Sequence, residues 1–312
     1  MQDPVYSRIE NEPRPTLFAS SAFVLLACLG LWVASLVQMA LPARGLGVSQ
    51  AVYYLGFVAL PLALYMKKHP GLSPALRLNP LPLLPTLSVL LLAFLSVFAA
   101  GMLTSSWSAA LDALGLKSPA TYALPDSSRA LVPAVITMAA MPAVFEELLF
   151  RGFVLSAWES RGTRFAIWIS AGLFALLHGN LYGLPAYLLV GAVSGLIVFS
   201  LDSLYGGMVY HTAYNAACLA LPLLITGGEV PADAAGGSTL TLLLDALMVG
   251  LLMAMSLSSL RLRAGRVGIQ PIPRIRRPLS GRERIMLAAA VCAMLFTVLI
   301  VQALTLVEGG AA

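Results

Sequence analysis

Long apolar runs, separated by short polar connections, repeat along most of the chain. A helix that crosses a bilayer needs about 20 predominantly apolar residues. Nine stretches approach that length: 17–41, 50–66, 82–103, 130–150, 165–179, 184–201, 207–225, 239–260 and 285–307. The pattern predicts an all-α, polytopic transmembrane helical bundle of eight or nine helices.

The choice between eight and nine helices depends on the runs at 165–179 and 184–201. They are the shorter ones, and they flank a Gly-Asn-Leu-Tyr-Gly-Leu-Pro stretch at 179–185. Irregular backbone at membrane depth is tolerated only where protein buries it or where it lines water. One of the two runs is therefore a candidate for a partly re-entrant segment.

Composition and charge agree with a membrane protein. The chain is 59% hydrophobic and 11% charged, against about 25% charged in an ordinary soluble domain. With a cytoplasmic N-terminus and nine spans, 15 of the 19 Lys and Arg residues face the cytoplasm and 3 face outward. This asymmetry obeys the positive-inside rule. It also explains the net charge of +5 without nucleic acid, and the short loops suggest a bacterial plasma membrane.

The polar chemistry is concentrated in one part of the chain. We predict four parts: a cytoplasmic tail at 1–16, three peripheral helices with an outer loop at 17–129, a catalytic core at 130–225, and two C-terminal helices at 226–312. A short amphipathic stretch is expected in the outer loop, around Trp107 to Leu116. The two C-terminal helices are joined by a basic linker, which we expect to lie near anionic lipid.

The motif-like ionisable side chains of the predicted core lie in or directly after its apolar runs: Glu146, Glu147, Arg151, His178 and His211. A charged side chain at the centre of a membrane helix costs about 3 kcal/mol on insertion scales. Such groups are therefore a functional hypothesis by default.

Helical spacing assigns different surroundings to the two adjacent glutamates. Glu147 and Arg151 are four residues apart and share a helix face, so we expect an ion pair at the helix end. Glu146 is rotated about 100° from Glu147 and is expected to face the bundle. The alternative is that all three side chains reach to the membrane surface from a helix end.

Each of the two histidines has a partner residue four positions away, before His178 and after His211. Phe174 and His178 share one face, and an imidazole near Glu146 could help a carboxylate to activate a water. His211 and Asn215 share another face and could direct two donors at a tetrahedral oxyanion, where one donor is worth about 3 to 4 kcal/mol. Each histidine taken alone could instead be a core residue.

These patterns resemble the CAAX protease and bacteriocin-processing (CPBP, or Abi) family of intramembrane proteases, which includes the Rce1-like CAAX prenyl endopeptidases. The family motifs are Glu-Glu-x-x-x-Arg, Phe-x-x-x-His and His-x-x-x-Asn, on three helices in that order. In this chain all three are complete: Glu146-Glu147-Leu-Leu-Phe-Arg151, Phe174-Ala-Leu-Leu-His178 and His211-Thr-Ala-Tyr-Asn215. The resemblance covers about residues 130–225.

The resemblance implies the roles of the motif residues. Glu146 would be the general base on a water that His178 assists, and His211 and Asn215 would stabilise the oxyanion. The implied catalytic residues are Glu146, His178, His211 and Asn215. The implied supporting residues are Glu147, Arg151 and Phe174.

Metal dependence is left open by the residues. Glu146, His178 and His211 could hold zinc with an open fourth position, and the family has been described as metalloproteases. Asn215 suits an oxyanion better than zinc, so we expect a glutamate-type protease without a cofactor.

The sequence thus predicts an intramembrane endopeptidase that hydrolyses a peptide bond of a membrane-associated, prenylated or leader-peptide substrate. The expected partners are a membrane protein or peptide substrate and the lipid bilayer, with no nucleic acid. The alternatives are a non-catalytic bacteriocin-immunity or scaffold protein, and a proton-coupled transporter that uses the same Glu and His residues as a relay.

Overall fold

The structure of the protein is a computed structural model that describes residues 13–41, 45–119, 128–226, 239–266, 268–269, 271–272 and 278–310. Within these ranges the chain is helical and contains no strand. The first seven of its long helices are α1 Leu17–Ala40, α2 Val48–Lys68, α3 Leu83–Ala113, α4 Leu131–Arg161, α5 Thr163–Leu177, α6 Leu184–Leu201 and α7 Leu204–Thr226. The last two are α8 Thr239–Arg266 and α9 Gly281–Gly310.

Each of the nine predicted apolar runs corresponds to one of these helices, which confirms the fold class. Seven helices in the described part of the chain are long and apolar enough to cross a membrane: all but α5 and α7. The 15 residues of α5 span only about 22 Å at 1.5 Å per residue, less than a bilayer core of about 30 Å. The chain is an integral membrane protein.

Two of the predicted boundaries were wrong. The apolar run at 82–103 and the separate amphipathic stretch at Trp107 to Leu116 form one 31-residue helix, α3. No proline lies between 103 and 113 to break the helix there, and it ends before Gly115, whose φ of 79° suits a helix terminus. Two predicted segments, the tail at 1–12 and the part of the basic linker at 273–277, lie outside the described residues.

The second wrong boundary changes the setting of the glutamates. The run predicted to end at 150 continues as α4 to Arg161, so Glu146 and Glu147 lie in the middle of a helix. Glu147 and Arg151 are both completely buried, which removes the alternative in which they reach the membrane surface. The helix can continue past Arg151 because the opposite charge of Glu147 lies beside it.

Helices α4 to α7 form the centre of the bundle. α5 packs along α6 and α7 packs along α3, while α9 packs against α1 and α8 against α3. The α5–α6 contact is close: a Cβ on Gly191 would lie 2.9 Å from the Cα of Ala171. Small residues at such crossings let two helix backbones approach.

One end of the bundle is joined by a network of charges around Glu159, a buried residue near the end of α4. Its Oε2 atom lies 2.7 Å from Arg14 Nη1 and 2.8 Å from Arg77 Nη2. Arg77 also pairs through Nε with Asp202 at 3.0 Å. The network connects the segment before α1, the α2–α3 connection, α4 and the α6–α7 connection.

The connection between α8 and α9 is hydrogen-bonded to Thr163, at the start of α5 in the centre of the bundle. The backbone N–H of Thr163 donates to the Ile272 carbonyl at 3.1 Å, and the Ile272 N–H donates to Thr163 Oγ1 at 2.9 Å. This exchange holds the connection at the first residue of α5.

Candidate active site

Glu147 is the centre of a buried polar cluster that joins α4, α6 and α7. Its Oε1 atom lies 2.9 Å from Arg151 Nη1 and 3.1 Å from His211 Nδ1. Its Oε2 atom accepts a hydrogen bond of 2.6 Å from the Ser194 hydroxyl. A buried charge needs such partners, because its desolvation otherwise costs several kcal/mol.

Arg151 is held from three directions. The expected i, i+4 ion pair with Glu147 is present, although the bond from Nη1 is not aligned as a hydrogen bond. Its Nη2 atom donates to the Gly191 carbonyl at 2.9 Å. Its guanidinium carbon lies 4.6 Å from the centre of the Phe174 ring, a cation–π distance. The guanidinium thus links α4 to both α5 and α6.

Glu146 has different surroundings from its neighbour. Its Oε1 atom accepts a hydrogen bond of 2.9 Å from the Tyr54 hydroxyl on α2. Its Oε2 atom lies 3.9 Å from His211 Nε2, and 12% of its side chain is exposed. The His211 ring therefore lies between the two carboxylates, with one nitrogen directed at each.

His178 follows the last residue of α5 and is oriented by its own helix. Its Nδ1 atom lies 2.8 Å from the Phe174 carbonyl oxygen. Its ring stacks on Tyr187 of α6, with centroids 3.9 Å apart and planes 18° apart. With Nδ1 directed at a carbonyl, which only accepts, Nδ1 carries the proton and Nε2 is the free acceptor of the neutral ring.

Phe174 connects the two histidines. Its ring contacts His178 at 4.6 Å and His211 at 5.5 Å between centroids, both edge-on. Within the described residues, no hydrogen bond or ion pair joins His178 to Glu146 directly. Asn215 lies one turn beyond His211 on α7 and is half-buried.

Two local features of the backbone make room for the cluster. From Leu148 to Leu155, directly after the glutamates, α4 has the wider i→i+5 turns that often occur at functional sites. On α7, a Cβ at Gly207 would lie 2.7 Å from Glu147 Oε2 and 2.9 Å from Ser194 Oγ. Only glycine leaves space there for the buried carboxylate.

The three predicted zinc ligands, Glu146, His178 and His211, do not form a cluster of metal-ligand spacing in the described residues. No group of three or more His, Cys, Asp and Glu in the described part of the chain is placed to hold a metal ion. The Nδ1 atoms of both histidines are engaged, that of His211 with Glu147 and that of His178 with a backbone carbonyl, so Nε2 is the remaining nitrogen of each ring. The remaining His211 Nε2 would need to approach Glu146 more closely than 3.9 Å to share a zinc ion with bonds of about 2 Å.

Three residues at the cluster were missed in the sequence: Tyr54, Ser194 and Tyr187. Tyrosine and serine are common in membrane helices, and none of the three belongs to one of the three motifs. No signal in the sequence separates Tyr54 from the adjacent Tyr53, or Ser194 from the other serines of the apolar runs.

The fold and this cluster define an integral membrane protein with acid/base groups buried inside its helical bundle. A family model described as type II CAAX prenyl endopeptidase Rce1-like matches residues 128–217, which contain all three motifs. This segment is therefore similar to the CAAX-type intramembrane proteases, and the match confirms the resemblance that the motifs indicate. No curated protein and no solved structure matches the chain.

Proposed function

We propose that the protein is a glutamate-type intramembrane endopeptidase in which Glu146 activates a water molecule. The observation that carries the proposal is the position of the His211 ring between two carboxylates with different partners. Glu147 is fully buried and bonded to Arg151, His211 and Ser194. Glu146 is partly exposed and is the carboxylate available to take up a proton.

In the proposed reaction, the water oxygen attacks the carbonyl carbon of the scissile bond while Glu146 takes a proton from that water. His178 Nε2, the free acceptor of the ring, orients that water. The carbonyl π bond opens to an oxyanion. When the tetrahedral intermediate collapses, the C–N bond breaks and the proton held by Glu146 passes to the leaving nitrogen.

His211 is proposed to stabilise the oxyanion together with Asn215. A carboxylate only accepts hydrogen bonds, so the His211 Nδ1–H donates a hydrogen bond to Glu147. The ring then presents a second donor at Nε2 only when both nitrogens carry protons. Removal of one such donor typically costs about 100- to 1000-fold in kcat.

The remaining assignments follow from this proposal. Glu147 and Arg151 would hold His211 and the three helices in place, and Phe174 would separate the two imidazoles. The substrate would be a membrane protein or a membrane-associated peptide, prenylated or carrying a leader. The partners would be that substrate and the bilayer, without nucleic acid or a required metal. The N-terminus would face the cytoplasm of a bacterial cell.

The proposal is tested by cleavage assays on the purified full-length protein in detergent. Wild type and Glu146→Gln are compared on quenched peptides with and without a C-terminal prenyl group, and on membrane-helix fusions. We expect cleavage by wild type and a loss of at least about 1000-fold in Glu146→Gln. Wild-type rates in Glu146→Gln would overturn the assignment of the general base.

A further inference from the structure

We infer that Tyr54 is a positioning residue for Glu146, so that the active site extends onto α2, outside the segment that matches the Rce1-like family. This inference rests on the proposed function, because it gives Tyr54 a role in the reaction assigned to Glu146. The matched segment begins at residue 128, whereas Tyr54 lies 92 positions before Glu146.

The phenol group of Tyr54 is placed firmly against the carboxylate. Its hydroxyl donates to Glu146 Oε1 at 2.9 Å, and the residue is 7% exposed. Its ring stacks on Phe145, the residue before Glu146, with centroids 5.5 Å apart and planes 18° apart. The Tyr54 ring also contacts the ring of Tyr53, with centroids 4.7 Å apart.

The backbone of α2 is adapted at this point. From Val52 to Ala59 the helix has i→i+5 turns, as α4 has directly after Glu147. Such turns are rare and frequently occur at functional sites. A third such segment, Val135–Ala140, precedes the glutamates on α4, so all three in the described residues lie on the two helices that the Tyr54–Glu146 hydrogen bond connects.

The hydrogen bond from Tyr54 gives the two carboxylate oxygens of Glu146 different surroundings. The terminal torsion of a glutamate is broad and roughly two-fold, so either oxygen can point in a given direction. With Oε1 bonded to the phenol, Oε2 is the oxygen directed toward His211 Nε2, at 3.9 Å. In the proposed reaction, Oε2 would be the oxygen that takes up the proton of the attacking water, because Oε1 is already bonded to the phenol.

A purely structural role would also use this contact, as a connection between α2 and α4. The two roles differ in what they do to turnover. A structural connection affects the amount of folded protein, whereas a positioning role lowers kcat in the folded protein with little change in KM.

The first experiment compares Tyr54→Phe with the matched control Tyr65→Phe. Both changes remove one hydroxyl from a tyrosine of α2, and the Tyr65 ring packs among Phe23 and Phe153 away from the glutamates. For Tyr54→Phe we expect kcat to fall about 10- to 100-fold with KM within about twofold. For Tyr65→Phe we expect both constants within about twofold of wild type.

The second experiment measures the contact without using activity. Thermal unfolding in detergent is recorded for wild type, Tyr54→Phe, Glu146→Gln and the double variant. If the hydroxyl bonds to the carboxylate, the two Tm shifts are not additive. Additive shifts would overturn the inference.

The outcomes separate this inference from the proposed function. Cleavage by wild type, its loss in Glu146→Gln and an unchanged kcat in Tyr54→Phe would overturn the role of Tyr54 alone. Absence of cleavage by wild type would overturn both. A kcat loss in Tyr54→Phe that Tyr65→Phe does not show, together with non-additive Tm shifts, supports the positioning role.

Discussion

His211 Nδ1 lies 3.1 Å from Glu147 Oε1, so a carboxylate of the first motif orients the imidazole of the third. The two residues are 64 positions apart in the chain and lie on different helices. An acid/base site needs its imidazole fixed in one orientation. A hydrogen bond to a buried carboxylate fixes the orientation of the ring.

Loss of the Glu147 carboxylate should be costly for both stability and activity. Glu147→Gln would leave Arg151 as a buried charge without its counter-ion, and breaking such a pair typically costs about 3 to 5 kcal/mol. We expect a clear fall in Tm in detergent and loss of cleavage. Replacement of both residues by leucine should recover part of the Tm but no cleavage. A Glu147→Gln variant with the Tm of wild type would contradict the ion pair.

Gly207 should tolerate no larger side chain. In Gly207→Ala the new methyl group would lie 2.7 Å from Glu147 Oε2 and from Val198 Cγ2, so the carboxylate or α6 must move. We expect a lower Tm and reduced kcat.

Gly250→Ala is the matched control for that change. Gly250 lies inside α8, and a Cβ there would meet open space. Alanine is favoured over glycine in a helix by about 1 kcal/mol, so Tm should stay the same or rise. Equal Tm losses in Gly207→Ala and Gly250→Ala would show that the lack of space around Glu147 does not cause the loss in Gly207→Ala.

Glu159 should contribute to stability and not to chemistry. Glu159→Gln would weaken the contacts of a buried carboxylate with Arg14 and Arg77, and we expect a lower Tm. Asp202→Asn is the control for the fall in Tm. The ion pair of half-exposed Asp202 with Arg77 should contribute only about 0 to 1 kcal/mol. Cleavage per folded molecule should be unchanged in both, and a large kcat loss in Glu159→Gln would contradict this separation.

Removal of metal should leave cleavage intact. No group of three or more His, Cys, Asp and Glu among the described residues is placed to hold a metal ion. We expect the wild-type rate after dialysis against a membrane-permeant chelator. Loss of the rate, with recovery on addition of zinc, would establish a metal-dependent mechanism instead.

Much of the site could be predicted because its chemistry lies in local spacings. The pair Glu147 and Arg151, four residues apart on α4, forms the expected ion pair. The prediction that this pair ends a helix was wrong, because the neutralised pair lets α4 run on to Arg161. A charge in an apolar run is a poor marker of a helix end once its counter-ion lies one turn away.

The sequence by itself determined the membrane class, a bundle of eight or nine helices and the motif residues, since apolar length and helical spacing are properties of neighbouring residues. Only the tertiary structure decided that His211 lies between both glutamates, that Ser194 bonds Glu147 and that Tyr54 bonds Glu146. Spacing sets which residues share a face of one helix. The depth and rotation of one helix against another depend on close contacts such as Gly191 with Ala171, which no periodicity records.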